Sequence, residues 1–168
     1  MSFKLVEKKN NVGEENFIDS KDFFRKIRLG SDVDNSSPIK TDMDNFFLCL
    51  LVGLKENRKE DTNLYKFHPP FSSKYIDAYL NVKPLLTGLL LSKIMQEEKI
   101  DKNEKDRIKK SLKIYLDTND PSNLTIKCFE IMHQYYLGGY NILLKKFNFK
   151  APDEISVFFD KYNKIITN

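Results

Sequence analysis

The chain has no tryptophan and only two cysteines, two histidines and six glycines among its 168 residues. Cys49 and Cys128 are too few for a disulfide-dense secreted scaffold. Both lie in apolar segments, where a thiol behaves as a small hydrophobe. A structural zinc needs four converging ligands. His68 and His133, with the two cysteines, supply no CxxC or HxxxH pair. Cys128 and His133 are five apart, about 140° around a helix, and diverge. None of the six glycines belongs to a G-x-G-x-x-G or P-loop phosphate cradle. The longest purely apolar run, Phe46 to Val52, is seven residues, against about 20 for a bilayer-spanning helix. Charge of one sign is scarce as well. Lys and Arg number 28 against 24 Asp and Glu, a formal net charge of +4, which excludes a histone-like polycation. The opening residues have no hydrophobic signal region, Ser2 stands where N-myristoylation requires glycine, and the last residues carry no prenylation cysteine. These absences predict a cytoplasmic protein with no membrane partner.

What is present is a globular composition, 40% hydrophobic and 31% charged. Residues 1–40 read as an irregular N-terminal arm with one short helix or strand near 20–28 and a loop around Gly30 to Pro38. From Thr41 the pattern turns helical. Thr41 with Asp44 three residues on is a variant capping box, and the apolar run behind it predicts a helix to about Asn57, buried nearly all round. Ser72 or Ser73 is expected to cap a short helix bearing Tyr75, Ile76, Tyr79 and Leu80. Pro84 fits the first turn of a helix with Leu85, Leu86, Leu89, Leu90, Leu91, Ile94 and Met95, expected to be central. Gly88 inside it suggests a close helix crossing. Ile108, Leu112, Tyr115 and Leu116 mark a clean amphipathic helix over 103–116, ended by Asp117 to Pro121. Ser122 or Asn123 can cap the next, with Gly138-Gly139 as its cap or kink and a short helix following at once. Pro152 opens the last, with Ile155, Phe158, Phe159, Tyr162 and Ile166 on one face. The expectation is an all-α fold, a bundle of six to seven helices with no strand after residue 40 and a single helical domain over 41–168.

No catalytic signature emerges. A cysteine nucleophile needs a lowered pKa and a histidine base, and Cys49 sits among Phe and Leu. The pairs Asp32-x-Asp34 and Asp42-x-Asp44 lack a third metal ligand, and the second pair falls where a helix N-terminus favours negative charge. Glu97-Glu98-Lys99 matches the E-x-K triplet of restriction-type nucleases in letters, but it ends a helix instead of lying on a strand. No catalytic residue, metal ligand or cofactor is assigned. Hydrolase or nuclease activity survives only if unrelated acids converge in the fold.

Two surfaces point to macromolecular partners. Lys145, Lys146 and Lys150 stand beside Phe147 and Phe149, and Lys109 and Lys113 lie on the amphipathic helix; lysines meet phosphates and aromatics stack on bases. The tract Phe67-His68-Pro69-Pro70-Phe71 puts two aromatics on a proline-stiffened loop, a candidate protein interface. Its alternative is a loop folded back over the core.

Three stretches carry a resemblance: Asp44 to Leu54, Leu85 to Leu91, and Tyr135-Tyr136-Leu137-Gly138-Gly139-Tyr140. Together they resemble small helical accessory proteins of prokaryotic anti-phage defence or DNA-modification gene clusters. The resemblance covers about residues 41–166 and rests on apolar and glycine positions. It implies an assembly subunit beside a larger ATPase or nuclease and transfers no catalytic residue. The leading expectation is therefore a non-enzymatic interaction subunit of a cytoplasmic complex with a protein partner, and the rival is direct binding of DNA or RNA.

Overall fold

The best-specified local structure is the start of the second helix. Asp44 N–H donates to Thr41 Oγ1 at 3.2 Å, and Thr41 N–H donates to Asp44 Oδ2 at 2.6 Å, so the capping box closes in both directions. The computed structural model describes residues 2–9, 17–29, 38–72, 75, 77–117, 119 and 123–167. Their order is β1 (Val6–Lys9), α1 (Ser20–Leu29), α2 (Asp42–Lys55), a 3-10 turn (Thr62–Leu64), β2 (Tyr65–Phe67), α3 (Asp77–Leu80), α4 (Lys83–Glu97), α5 (Lys105–Tyr115), α6 (Ile126–Lys146) and α7 (Ile155–Thr167). The loop expected at Gly30 to Ser37 with its Asp32 and Asp34, together with Ser73, Ile76, Pro121 and Ser122, lies outside the described residues. None of the described helices is long and apolar enough to cross a membrane.

The fold is largely helical, but the all-α expectation needs correction. β1 and β2 pair antiparallel, with Val6 opposite Phe67 and Lys9 opposite Tyr65 and an irregularity between Val6 and Lys8. Strands of four and three residues show too little alternation to be read from sequence, and their pairing spans some sixty residues of chain. The double glycine is a second correction. Gly138 and Gly139 do not end a helix, and no separate short helix follows them, because α6 runs unbroken from Ile126 to Lys146.

Contacts gather the chain into two compact units, Ser2–Ser73 with Gln134–Asn168, and Lys74–His133 (with Met1). The larger unit has an aromatic core. Phe3, Leu5, Val6, Phe23, Phe24 and Ile27, all in the segment expected to be an irregular arm, are completely buried. Tyr136 stacks on Phe46 with ring centres 4.6 Å apart, Phe147 stacks on Phe158 at 5.6 Å, and Phe24 meets Phe158 edge-on at 5.9 Å. One hydroxyl ties three elements together. Tyr136 Oη accepts from Val6 N–H at 2.9 Å and donates to Ser20 Oγ at 3.2 Å, and Ser20 Oγ donates to the Val6 carbonyl at 2.8 Å. The α2–α6 crossing is closer than side chains permit. A Cβ on Gly53 would collide with the Tyr135 carbonyl, and one on Gly139 with the Cys49 carbonyl.

The smaller unit holds α3, α4, α5 and the first two turns of α6. Leu86, Leu90, Leu91 and Ile94 of α4 are buried, as are Tyr115, Cys128, Phe129 and Met132. Glu98, just past α4, accepts from Ser111 Oγ at 2.9 Å and from Tyr115 Oη at 2.6 Å, which fixes α5 against the end of α4. An isolated bridge between Leu116 and Leu124 and a bond from Thr125 N–H to the Tyr115 carbonyl at 2.9 Å close the α5–α6 connection.

Candidate functional site

The expected protein-interface loop is stitched down. Phe67 forms the end of β2 and is half-buried. His68 N–H donates to the Leu5 carbonyl at 3.0 Å, Phe71 N–H to the Phe3 carbonyl at 3.1 Å, and Phe3 N–H to the Ser72 carbonyl at 2.7 Å. The Phe71 ring lies 6.1 Å from that of Phe3. His68 Nε2 is 2.6 Å from Asp19 Oδ2, while Asp19 Oδ1 accepts from Lys21 N–H at 2.7 Å at the start of α1. Pro69 and Pro70 alone of the five are exposed. This geometry is that of a loop folded back on its own unit.

The lysine candidates divide between the units. Lys109 and Lys113 lie on α5 in the smaller one, and Lys145, Lys146 and Lys150 lie at and just beyond the end of α6 in the larger; all five are exposed. Beside Lys150 is a surface depression of about 310 Å³, lined among others by Phe147, Pro152, Asp153, Glu154 and Lys161. Its two lysines face two carboxylates, so it has no excess charge.

The residues tested for chemistry are engaged in structure. Burial pushes the Cys128 thiol up to about 12 and the Cys49 thiol well above its usual range, so neither offers a thiolate at neutral pH. Asp44 is the capping carboxylate, and Asp42 lies 3.9 Å from Lys21 and 3.8 Å from Arg28. Glu98 of the E-x-K triplet accepts the two hydroxyls of α5. Burial first, and then the bond to Glu98, push Tyr115 up to about 12. Among the described residues no three His, Cys, Asp or Glu side chains gather where they would hold a metal.

No family model matches this chain, and neither a curated protein nor a solved structure does. What it does has to follow from its own geometry.

The surface that sequence reasoning missed is on α4. The leucines Leu85, Leu86, Leu89, Leu90 and Leu91 made α4 the helix expected to be central, yet they do not all go inside. One face is covered and the other is open, with Leu85 64% and Leu89 44% exposed. Leu85, Gly88, Leu89, Ser92 and Gln96 follow one another at helical spacing on that open face, and all are exposed. No charged residue occurs from Pro84 to Ser92. A Cβ on Gly88 would meet nothing within 4 Å, so among the described residues no helix crosses closely there. Leu80 and Val82, which lead into α4, add apolar surface at 50% and 39% exposure. Of the eight large hydrophobic side chains exposed among the described residues, six belong to the smaller unit. The signal available in sequence was an uncharged nine-residue stretch with more leucine than one helix face can hold.

Proposed function

We propose that this chain is a non-enzymatic interaction subunit that docks a partner protein through the open face of α4. The observation that carries the reading is the pair Leu85 and Leu89, exposed on either side of Gly88 on a face without charge. Monomeric proteins rarely leave such contiguous apolar surface uncovered without a use for it. Gly88 and Ser92 leave a low strip beside the Leu85–Leu89 ridge, against which a partner helix can pack a ridge of its own. The occupant that fits is an apolar, uncharged helix face of another protein. The resemblance to accessory proteins of defence or DNA-modification clusters agrees with this role and makes a larger ATPase or nuclease the expected companion.

The test compares tagged wild-type chain with the Leu85→Glu/Leu89→Glu variant in pull-downs from the native host, with nuclease present. Both side chains are already open to solvent, so the variant should keep its thermal midpoint within a few degrees. The reading requires a stoichiometric protein that the wild type captures and the variant loses. Equal capture by both overturns it. So does a purified wild type that pairs with itself through this face, since the partner is then a second copy.

A further inference from the structure

The most cationic of the described helices is α5, ahead of α1 with a net +3. α5 carries five cations, Lys105, Arg107, Lys109, Lys110 and Lys113, against one carboxylate, Asp106. That is a net +4, the formal net charge of the whole chain; the other 157 residues hold 23 cations and 23 carboxylates. Arg107 is occupied at home, its Nη1 donating to both Glu104 carboxylate oxygens at 2.8 and 2.9 Å. Lys105, Lys109 and Lys113 are exposed and make no ion pair with a described residue. Their spacing of i, i+4 and i+8 sets them in one row along about 12 Å of helix axis. Lys105 stands in the first turn, where a cation opposes the helix dipole, so its charge does not serve the helix.

We infer that the outward face of α5 is a nucleic-acid contact, in which Lys105, Lys109 and Lys113 hold the phosphate backbone without reading bases. A duplex presents roughly one phosphate charge per 1.7 Å of axis, so a row of this length meets several phosphates at once. The exposed residues of α5 are Lys105, Asp106, Arg107, Lys109, Lys110, Lys113 and Ile114. With Arg107 engaged by Glu104, they include no free guanidinium or amide to fork onto a base edge, and flexible lysines act on phosphates as point charges, so little sequence preference is expected. An anionic membrane fits less well. A helix that lies in a membrane surface inserts its apolar face, whereas Ser111 and Tyr115 on that side of α5 are buried and Ile108 and Leu112 half-buried in its own unit. This inference stands apart from the α4 reading, on a different helix and a different partner.

The experiment is fluorescence polarisation of a labelled duplex of about 20 base pairs, and of one of its single strands, across a salt series. Three phosphate contacts give a slope of log affinity against log salt of about −2.7 on duplex, with micromolar or weaker affinity at physiological salt. Lys105→Glu/Lys109→Glu/Lys113→Glu should weaken low-salt binding more than about tenfold and flatten the slope. Lys145→Glu/Lys146→Glu/Lys150→Glu should change it less than about threefold. Should charge reversal unfold α5 by circular dichroism, Lys105→Gln/Lys109→Gln/Lys113→Gln tests the same claim and should lower the slope by about two to three. The inference is overturned if the wild type binds neither probe at low salt or if the α5 variants bind as the wild type does. Loss of binding in the Lys145 set alone overturns it too. So does equal displacement of duplex by polyglutamate, or binding to phosphatidylserine vesicles in preference to duplex.

Discussion

Gly53 and Gly88 both sit inside helices, but for opposite physical reasons. At Gly53 the backbone of α6 lies where a side chain would begin, and Gly139 answers it from the other helix. Gly53→Ala or Gly139→Ala gains up to about 1 kcal/mol of helix propensity. Each then forces two backbones apart, an overpacking cost of about 1–3 kcal/mol or more. The net expectation is a fall in thermal midpoint of a few degrees or more, read by calorimetry. At Gly88 no described residue stands in the way, so Gly88→Ala should raise the midpoint by about 2–4 °C while weakening capture of the α4 partner. If Gly88→Ala destabilises, the α4 face is covered within the chain and is not free to dock. Neither role was legible in sequence. A glycine in a helix shows that something is close or that a face is left flat, and only the neighbouring helix tells which.

Among the elements, α2, α4, α5 and α7 were the readable ones, because a cap, a proline in the first turn or a single apolar face marks them locally. Thr41 and Asp44 mark the start of α2, and Phe158 and Tyr162 the buried side of α7. The doublet Gly138-Gly139 was misread because its usual local meaning is a helix end. Here Gly139 is dictated by Cys49 and Gly53 of α2, and Gly138 by the Arg58 carbonyl. β1 was illegible for a similar reason, since its partners are distant in sequence. The hydroxyl of Tyr136 is the sharpest case, as it completes the hydrogen bonding of β1 and α1 from a helix 116 residues beyond Ser20. Tyr136→Phe leaves the buried Val6 N–H without its acceptor and should cost about 1–3 kcal/mol. Urea unfolding measures the cost, and amide exchange should quicken first at Val6 and along β1. An unchanged midpoint would mean that β1 contributes little to the larger unit. Of the candidate surfaces, Lys109 and Lys113 were visible as charge on an amphipathic helix. Lys105 and the α4 leucines were not, because a lysine at a helix start and a leucine in a leucine-rich stretch both have ordinary local explanations.

Across the whole molecule, the aromatic load that replaces tryptophan sets the response to alkali. Six of the eight tyrosines, Tyr65, Tyr75, Tyr115, Tyr136, Tyr140 and Tyr162, are shifted upward, each chiefly by burial. Tyr75 and Tyr115 of the smaller unit reach about 12. Tyr136 and Tyr140 of the larger unit rise well above the ordinary 10. The unfolded chain loses thiol protons near 9 and phenol protons near 10, while the folded chain keeps them. The native state therefore binds more protons above those values, and stability must fall as pH rises. Below about pH 9 this contribution is fully present; it drains away from there up to about 12, the folded value for Tyr75, Tyr115 and Cys128. Urea midpoints taken from neutral pH upward should stay level and then drop steeply beyond pH 10. The ultraviolet signal of tyrosinate should rise together with the loss of helical circular dichroism, because the phenols ionise on unfolding and not before it. Ionisation of most tyrosines near their ordinary value, with the helix signal intact, would mean that water reaches a core which burial otherwise closes on both units.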